Sequence, residues 1–165
     1  MQARGFSLIE MIVVMAIVSV LLAIGTLRFN DYLKQYRTEG QTRLLYSELL
    51  RARVNAIYRR KAIRVKLYPG RFEVYSSQQD DTRGAKPLQT HALRYPVTCS
   101  ATMDPVQGYR IDFEANGQTF DECSICLDPS AGSGAVDSLK VARTRMSIGK
   151  KDKGDECMPD NITVK

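Results

Sequence analysis

Arg4-Gly5-Phe6-Ser7-Leu8-Ile9-Glu10, followed by Met11-Ile12-Val13-Val14-Met15-Ala16-Ile17-Val18-Ser19-Val20-Leu21-Leu22-Ala23-Ile24, joins a short basic leader to a long apolar run that holds one carboxylate. From Ser7 to Leu27 there are 21 residues, and Glu10 is the single charge among them. As a helix rising about 1.5 Å per residue, this stretch reaches roughly 30 Å, the thickness of a bilayer core. A charge at mid-helix in a membrane costs about 2.5–3.5 kcal/mol, and less near a helix end. Glu10 therefore needs a reason. An ordinary secretory signal is cut after its apolar region, beside small residues. No such site follows this run, and the cut that fits lies before it, at Gly5–Phe6. It would keep the helix in the mature chain and create an α-amino group on Phe6, close to Glu10. Within one subunit the amine and the carboxylate do not pair comfortably. Subunits stacked along an axis would bring each amine to a neighbour's carboxylate.

Gly5-Phe6-Ser7-Leu8-Ile9-Glu10 plus the apolar run resembles the class III signal and N-terminal helix of type IV pilins and type II secretion pseudopilins. The resemblance implies that a prepilin peptidase cleaves after Gly5 and methylates the amine of Phe6. It also implies that Glu10 sets the register of assembly. One position departs from the pattern. Major pilins often carry proline near position 27, where this chain has Leu27, and Gly25 is the candidate flexible point instead.

The chain has 165 residues, so one globular domain after the helix is the natural count. Removing the leader and the apolar helix leaves roughly 135 residues, enough for a modest core. The net charge is +6, moderately basic. Four cysteines, Cys99, Cys123, Cys126 and Cys157, follow the apolar helix. In a chain delivered outside the cytoplasm, an even number favours disulfides. A single histidine, His91, argues against histidine-based metal sites and a Ser-His-Asp triad.

The helix is expected to continue from Asn30 to about Arg60. Leu45, Leu49, Ala52 and Ala56 fall on one face at helical spacing, with Leu44, Tyr46 and Ile57 widening the stripe. This face should pack on a sheet. Gly40 is a candidate kink, and Asn30 to Gln41 reads as the polar passage between membrane and domain. Arg51, Arg53, Arg59, Arg60, Lys61, Arg64 and Lys66 put seven cations into sixteen residues without an acid. Such a cluster attracts nucleic acid, anionic lipid or an acidic partner. The plainer reading is a solvated helix face and strand edge with arginine stems over apolar surface.

After Lys61 the period changes from 3.6 to 2. Ile63, Val65 and Leu67 alternate with Arg64, Lys66 and Tyr68 as a half-buried strand. Pro69-Gly70 turns the chain into a return strand with Phe72, Val74 and Tyr75. Ser76 to Thr90 reads as a polar loop, Asp80-Asp81 included. His91 to Thr98 holds a short strand that Pro96 confines to an edge. Tyr109 to Phe113 is a strand, Asn116-Gly117 a turn, and Ser124 to Leu127 a strand. Asp128 to Gly134 is a loop. Leu139 to Ile148 alternates, with Leu139, Val141, Met146 and Ile148 inward. Gly149 to Cys157 reads as a charged loop anchored at Cys157.

The Ala-Arg-rich helix end feeding the first strand, and the strand order after it, resemble the GspH/FimT branch of minor pilins. That resemblance implies an α+β pilin-like fold: a long N-terminal helix, membrane-spanning in its first half, packed on antiparallel β-sheets. It divides the chain into a leader (1–5), a transmembrane and assembly half-helix (6–29) and a periplasmic or extracellular domain (30–165) that includes the second half of the helix. Cys123-Ser-Ile-Cys126 has the spacing of redox and zinc sites. Zinc needs a second pair at similar spacing, and a thioredoxin-like site needs a helix starting at the second cysteine. Neither is present, so all four cysteines are disulfide candidates. The preferred pairing joins Cys99 and Cys157 to the central pair rather than Cys123 to Cys126.

DNA-binding members of the FimT type use a basic segment near the C-terminus. Here the match to it is only Gly149-Lys150-Lys151-Asp152, and Arg143, Arg145, Lys150, Lys151 and Lys153 are the candidates for DNA or acidic-partner contacts. Asp152, Asp155 and Glu156 weaken the field there, and lysine lacks the arginine fork toward phosphate. No catalytic constellation, metal site or cofactor is expected. The expected function is a minor pilin or pseudopilin, anchored by one helix in the inner membrane with its domain in the periplasm, then assembled in a pilus or pseudopilus. Its partners are other subunits, through the N-terminal helix, and the prepilin peptidase. The alternatives are a DNA-binding minor pilin for uptake in transformation and a membrane-anchored periplasmic adaptor that never polymerises.

Overall fold

The computed structural model describes residues 7–127, 135–152, 154 and 156–165. Gly5 and Phe6, the Asp128 to Gly134 loop, Lys153 and Asp155 lie outside the described residues. A single helix, α1 (Leu8–Arg59), carries the first third of the chain. It starts from Ser7, whose carbonyl accepts from the amides of Glu10 and Met11. It ends at Arg60, which takes the left-handed conformation (φ 50°) that stops a helix. The 52 residues amount to about 78 Å of helix. α1 runs through Gly25 and Gly40 without a break, so neither glycine divides it.

Among the described residues, nine strands follow in two antiparallel sheets, and α1 lies against both. In the first sheet, β1 (Ile63–Tyr68) sits between β2 (Arg71–Tyr75) and β5 (Tyr109–Phe113), and β3 (Gln89–Ala92) forms the far edge. The second runs β4 (Val97–Cys99), β6 (Cys123–Leu127), β7 (Ser138–Val141), β8 (Met146–Lys151) and β9 (Ile162–Val164). Cross-strand register puts Val65 opposite Val74 and Ile111, and Leu139 opposite Ile125 and Ile148. These side chains meet Leu45, Leu49, Ala52 and Ala56 in one core.

The predicted helix stripe is the buried one, with two corrections. Leu44 and Ile57 are 41% and 46% exposed and do not widen it. The stripe instead extends toward the N-terminus through Thr38, Gln41 and Thr42, all buried. Hydroxyls bury cheaply here because the helix supplies their partners: Thr38 donates to the Lys34 carbonyl and Thr42 to that of Thr38. Gln41 reaches across to Tyr95, donating to its carbonyl at 2.7 Å and accepting from its amide at 3.0 Å. The helix therefore meets the domain before the polar passage was expected to end.

Further readings are corrected. The polar stretch after Ser76 contains a short helix, α2 (Gln78–Thr82), and the edge strand β3. Leu139 to Ile148 is a hairpin, not one strand, closed by the Ala142 amide on the Arg145 carbonyl. Gly149, Lys150 and Lys151 belong to β8 and pair with β9, so the expected charged loop begins later. The strand expected from His91 to Thr98 is divided: His91 and Ala92 end β3 in the first sheet, Val97 and Thr98 begin β4 in the second directly after Pro96, and each lies at its sheet's edge.

On its far side the first sheet carries a charge ladder. Arg64 is 7% exposed and forks onto Asp112, with Nε–Oδ1 and Nη2–Oδ2 both 2.7 Å. Its remaining nitrogen donates to Asp81 at 2.9 Å, and Lys66 holds the other oxygen of Asp81. Donating to the Asp112 carboxylate raises the Arg64 guanidinium above its ordinary pKa. These contacts dock α2 on the sheet and remove Arg64 and Lys66 from the predicted basic cluster.

Candidate assembly helix and cysteine sites

Residues 8–25 of α1 are exposed along their whole length, on every face. The segment is long and apolar enough to cross a membrane, and no part of it is covered by the domain. A soluble surface does not carry so much contiguous apolar area without a bilayer or a protein partner. The polar side chain of Ser19 is satisfied within the helix, donating to the Met15 carbonyl at 2.7 Å. Glu10 is exposed in the first turn, where the helix dipole favours an acid. Beyond the apolar run, Phe29, Tyr32 and Tyr36 fall at i, i+3 and i+7 and are all exposed. Aromatic side chains favour the membrane–water boundary. Sequence reasoning passed over this band, although its helical spacing was there to read.

The cysteines sort by strand geometry. Cys123 and Cys126 stand three apart on β6, so they face opposite sides of the sheet. They cannot bond to one another without breaking the strand. On the outer side Cys126 is bonded to Cys157, closing a separation of 31 residues. This bond straps the C-terminal segment across the sheet, where Lys140 also donates to the Pro159 carbonyl at 3.3 Å. One half of the preferred pairing is thus present. On the inner side Cys99 and Cys123 are both thiols.

The described basic candidates do not share one place. Arg143 and Arg145 stand at the β7–β8 turn, exposed, with the Arg143 guanidinium 4.6 Å from the Phe120 ring centre. Lys150 and Lys151 stand at the other end of β8. Lys150 is five residue steps of strand beyond Arg145, about 17 Å.

The first 26 residues match the family described as the prokaryotic N-terminal methylation motif. The motif covers the leader and the apolar start of α1, and a long helix running on to pack against antiparallel sheets is a pilin-like fold. The fold is similar to the crystal structure of the type IV minor pilin FimU from Pseudomonas aeruginosa strain PAO1. That likeness has a TM-score of 0.53 at 15% identity and covers 71% of this chain and 91% of the other. A search of the curated proteins found no match.

Proposed function

We propose that this protein is a minor pilin or pseudopilin, a non-enzymatic subunit that assembles into, or primes, a type IV pilus or type II secretion pseudopilus. The observation that carries the reading is the uncovered apolar half of α1, continuous with a half that is the domain's own core. Such a helix holds the subunit in the inner membrane before assembly and among neighbouring helices afterwards. Phe29, Tyr32 and Tyr36 then lie at the membrane boundary, and the domain lies in the periplasm. The prepilin peptidase removes residues 1–5 and methylates Phe6. Glu10 accepts a neighbour's Phe6 amine, which offsets the cost of a carboxylate in an apolar setting. Mass spectrometry of the protein purified from its native membrane tests the processing step. The expected N-terminus is N-methylated Phe6; a chain that retains Met1 to Gly5 sinks the reading.

A further inference from the structure

Cys99 and Cys123 are brought together by the fold, not by sequence spacing. In the β4–β6 register, Cys99 stands opposite Ile125, two residues along β6 from Cys123. Paired residues face the same side, so all three look inward. Cys123 belongs to the core and Cys99 is packed against its rim, half-buried. Diagonal neighbours on paired strands are about 7–8 Å apart at Cα and closer at Cβ. A disulfide asks for slightly less than that at Cα.

The backbone beside them supplies the difference, because the ladder gives way there: Ser100 donates its amide to the Ser124 carbonyl, but the Ser124 amide is taken by the Ser100 hydroxyl instead of a backbone oxygen. Backbone that has left the ladder moves more easily than backbone inside it.

We propose that Cys99 and Cys123 are an oxidation site that forms a second disulfide, on the opposite face of β6 from the Cys126–Cys157 bond. The bond would close the excursion in which the chain leaves the second sheet after β4, adds β5 to the first sheet and returns as β6. It would therefore tie the two sheets' connection at its base.

The roles of the two sulfurs follow from their surroundings. The hydrogen bond from Cys123, aided by donors at Ser100 and Ala101, lowers the Cys99 thiol against the opposing effect of burial. The same hydrogen bond and deeper burial push the Cys123 thiol up. Cys99, half-exposed where Cys123 is buried, is the thiol that loses its proton and attacks an external disulfide, breaking its S–S bond, releasing one thiolate and forming a mixed disulfide. Cys123 then loses its proton and attacks the Cys99 sulfur, expelling the second thiol. The protein gives up two electrons and two protons, and the oxidising disulfide gains them as two thiols.

The test uses the full chain in detergent micelles with oxidised glutathione as the probe. The protein is quenched in acid and denatured, free thiols are alkylated, and intact mass and a non-reducing peptide map are read. The proposal expects no alkylated cysteine, a peptide pair joining Cys99 to Cys123, and a melting temperature higher on the order of ten degrees. In Cys123→Ser, glutathione should remain on Cys99. Alkylation of both thiols after treatment, glutathione retained on Cys99 in the unsubstituted chain, or a Cys99 bond to Cys126 or Cys157 would each overturn it. If Cys123→Ser does not fold, the unsubstituted chain alone decides. No step depends on a peptidase or a filament, so the result stands apart from the proposed function.

Discussion

Replacing Arg64 with methionine should be among the most damaging single changes in the domain. Methionine keeps much of the side-chain length and removes only the guanidinium. That group makes three hydrogen bonds of 2.7–2.9 Å to Asp112 and Asp81. The side chains are 8%, 16% and 8% exposed for Arg64, Asp112 and Asp81, so water cannot replace what is lost. Asp81 would keep Lys66, whereas Asp112 would lose both charge-assisted bonds of the fork. Removing one partner of a buried pair costs about 3–5 kcal/mol, mostly through the charge left behind. For a domain of this size that is a fall in Tm of roughly 10–20 °C. Arg64→Met with Asp112→Leu should recover much of the loss, because the stranded carboxylate goes too.

The pH profile is a second readout. Burial raises the Asp81 carboxyl, but hydrogen bonds from Lys66 and Arg64 outweigh it, and the net shift is downward. A carboxylate lowered on folding adds stability above its unfolded pKa, about 3.9, and loses it as pH falls through the folded value. The unsubstituted protein should therefore lose Tm below about pH 4, and Arg64→Met should lose less over that interval. Near-UV circular dichroism of the tyrosines during heating, in micelles, measures both. A single variant within about 1 kcal/mol of the parent would refute the reasoning, since surface ion pairs are worth no more than that.

Two further perturbations are decisive elsewhere. Gly117→Ala places a Cβ 2.6 Å from the Ile57 Cδ1 at a φ of 77°, so urea titration should show a loss of about 1–2 kcal/mol from the backbone alone. Trimming Ile57 to alanine as well should leave that backbone loss in place. Cys126→Ser opens a closure of 31 residues and should cost about 3.5–4 kcal/mol in the chain-entropy model. Hydrogen exchange should then rise first in β9 and the segment before it.

What could be read ahead of the structure followed from periodicity and from the N-terminal motif. Leu45, Leu49, Ala52 and Ala56 announce a buried face because their type and spacing agree. Thr38, Gln41 and Thr42 occupy the same face, but polar residues hide burial when the helix or a loop carbonyl satisfies them. The helix α2 and the strands β3 and β9 were missed for a related reason. Gln78–Thr82 buries no apolar side chain, Gln89–Ala92 is a polar edge, and Ile162–Val164 is three residues long. Arg64 read as one cation of a surface cluster because its partner Asp112 lies 48 residues away and only register brings them together. The cysteine pairing was legible in half. Once β6 is a strand, Cys123 and Cys126 must look to opposite faces, but which distant cysteine waits on each face is a matter of topology.

The central claim is that the exposed half of α1 is an assembly element whose register depends on Glu10. The most direct measurement is incorporation: Glu10→Ala and Glu10→Lys chains expressed in the native host, with membrane and sheared-filament fractions quantified by immunoblot. The account predicts normal levels in the membrane and a marked loss from filaments, deeper for lysine, which repels the neighbouring amine. Filament incorporation at the parental level in both variants would contradict it.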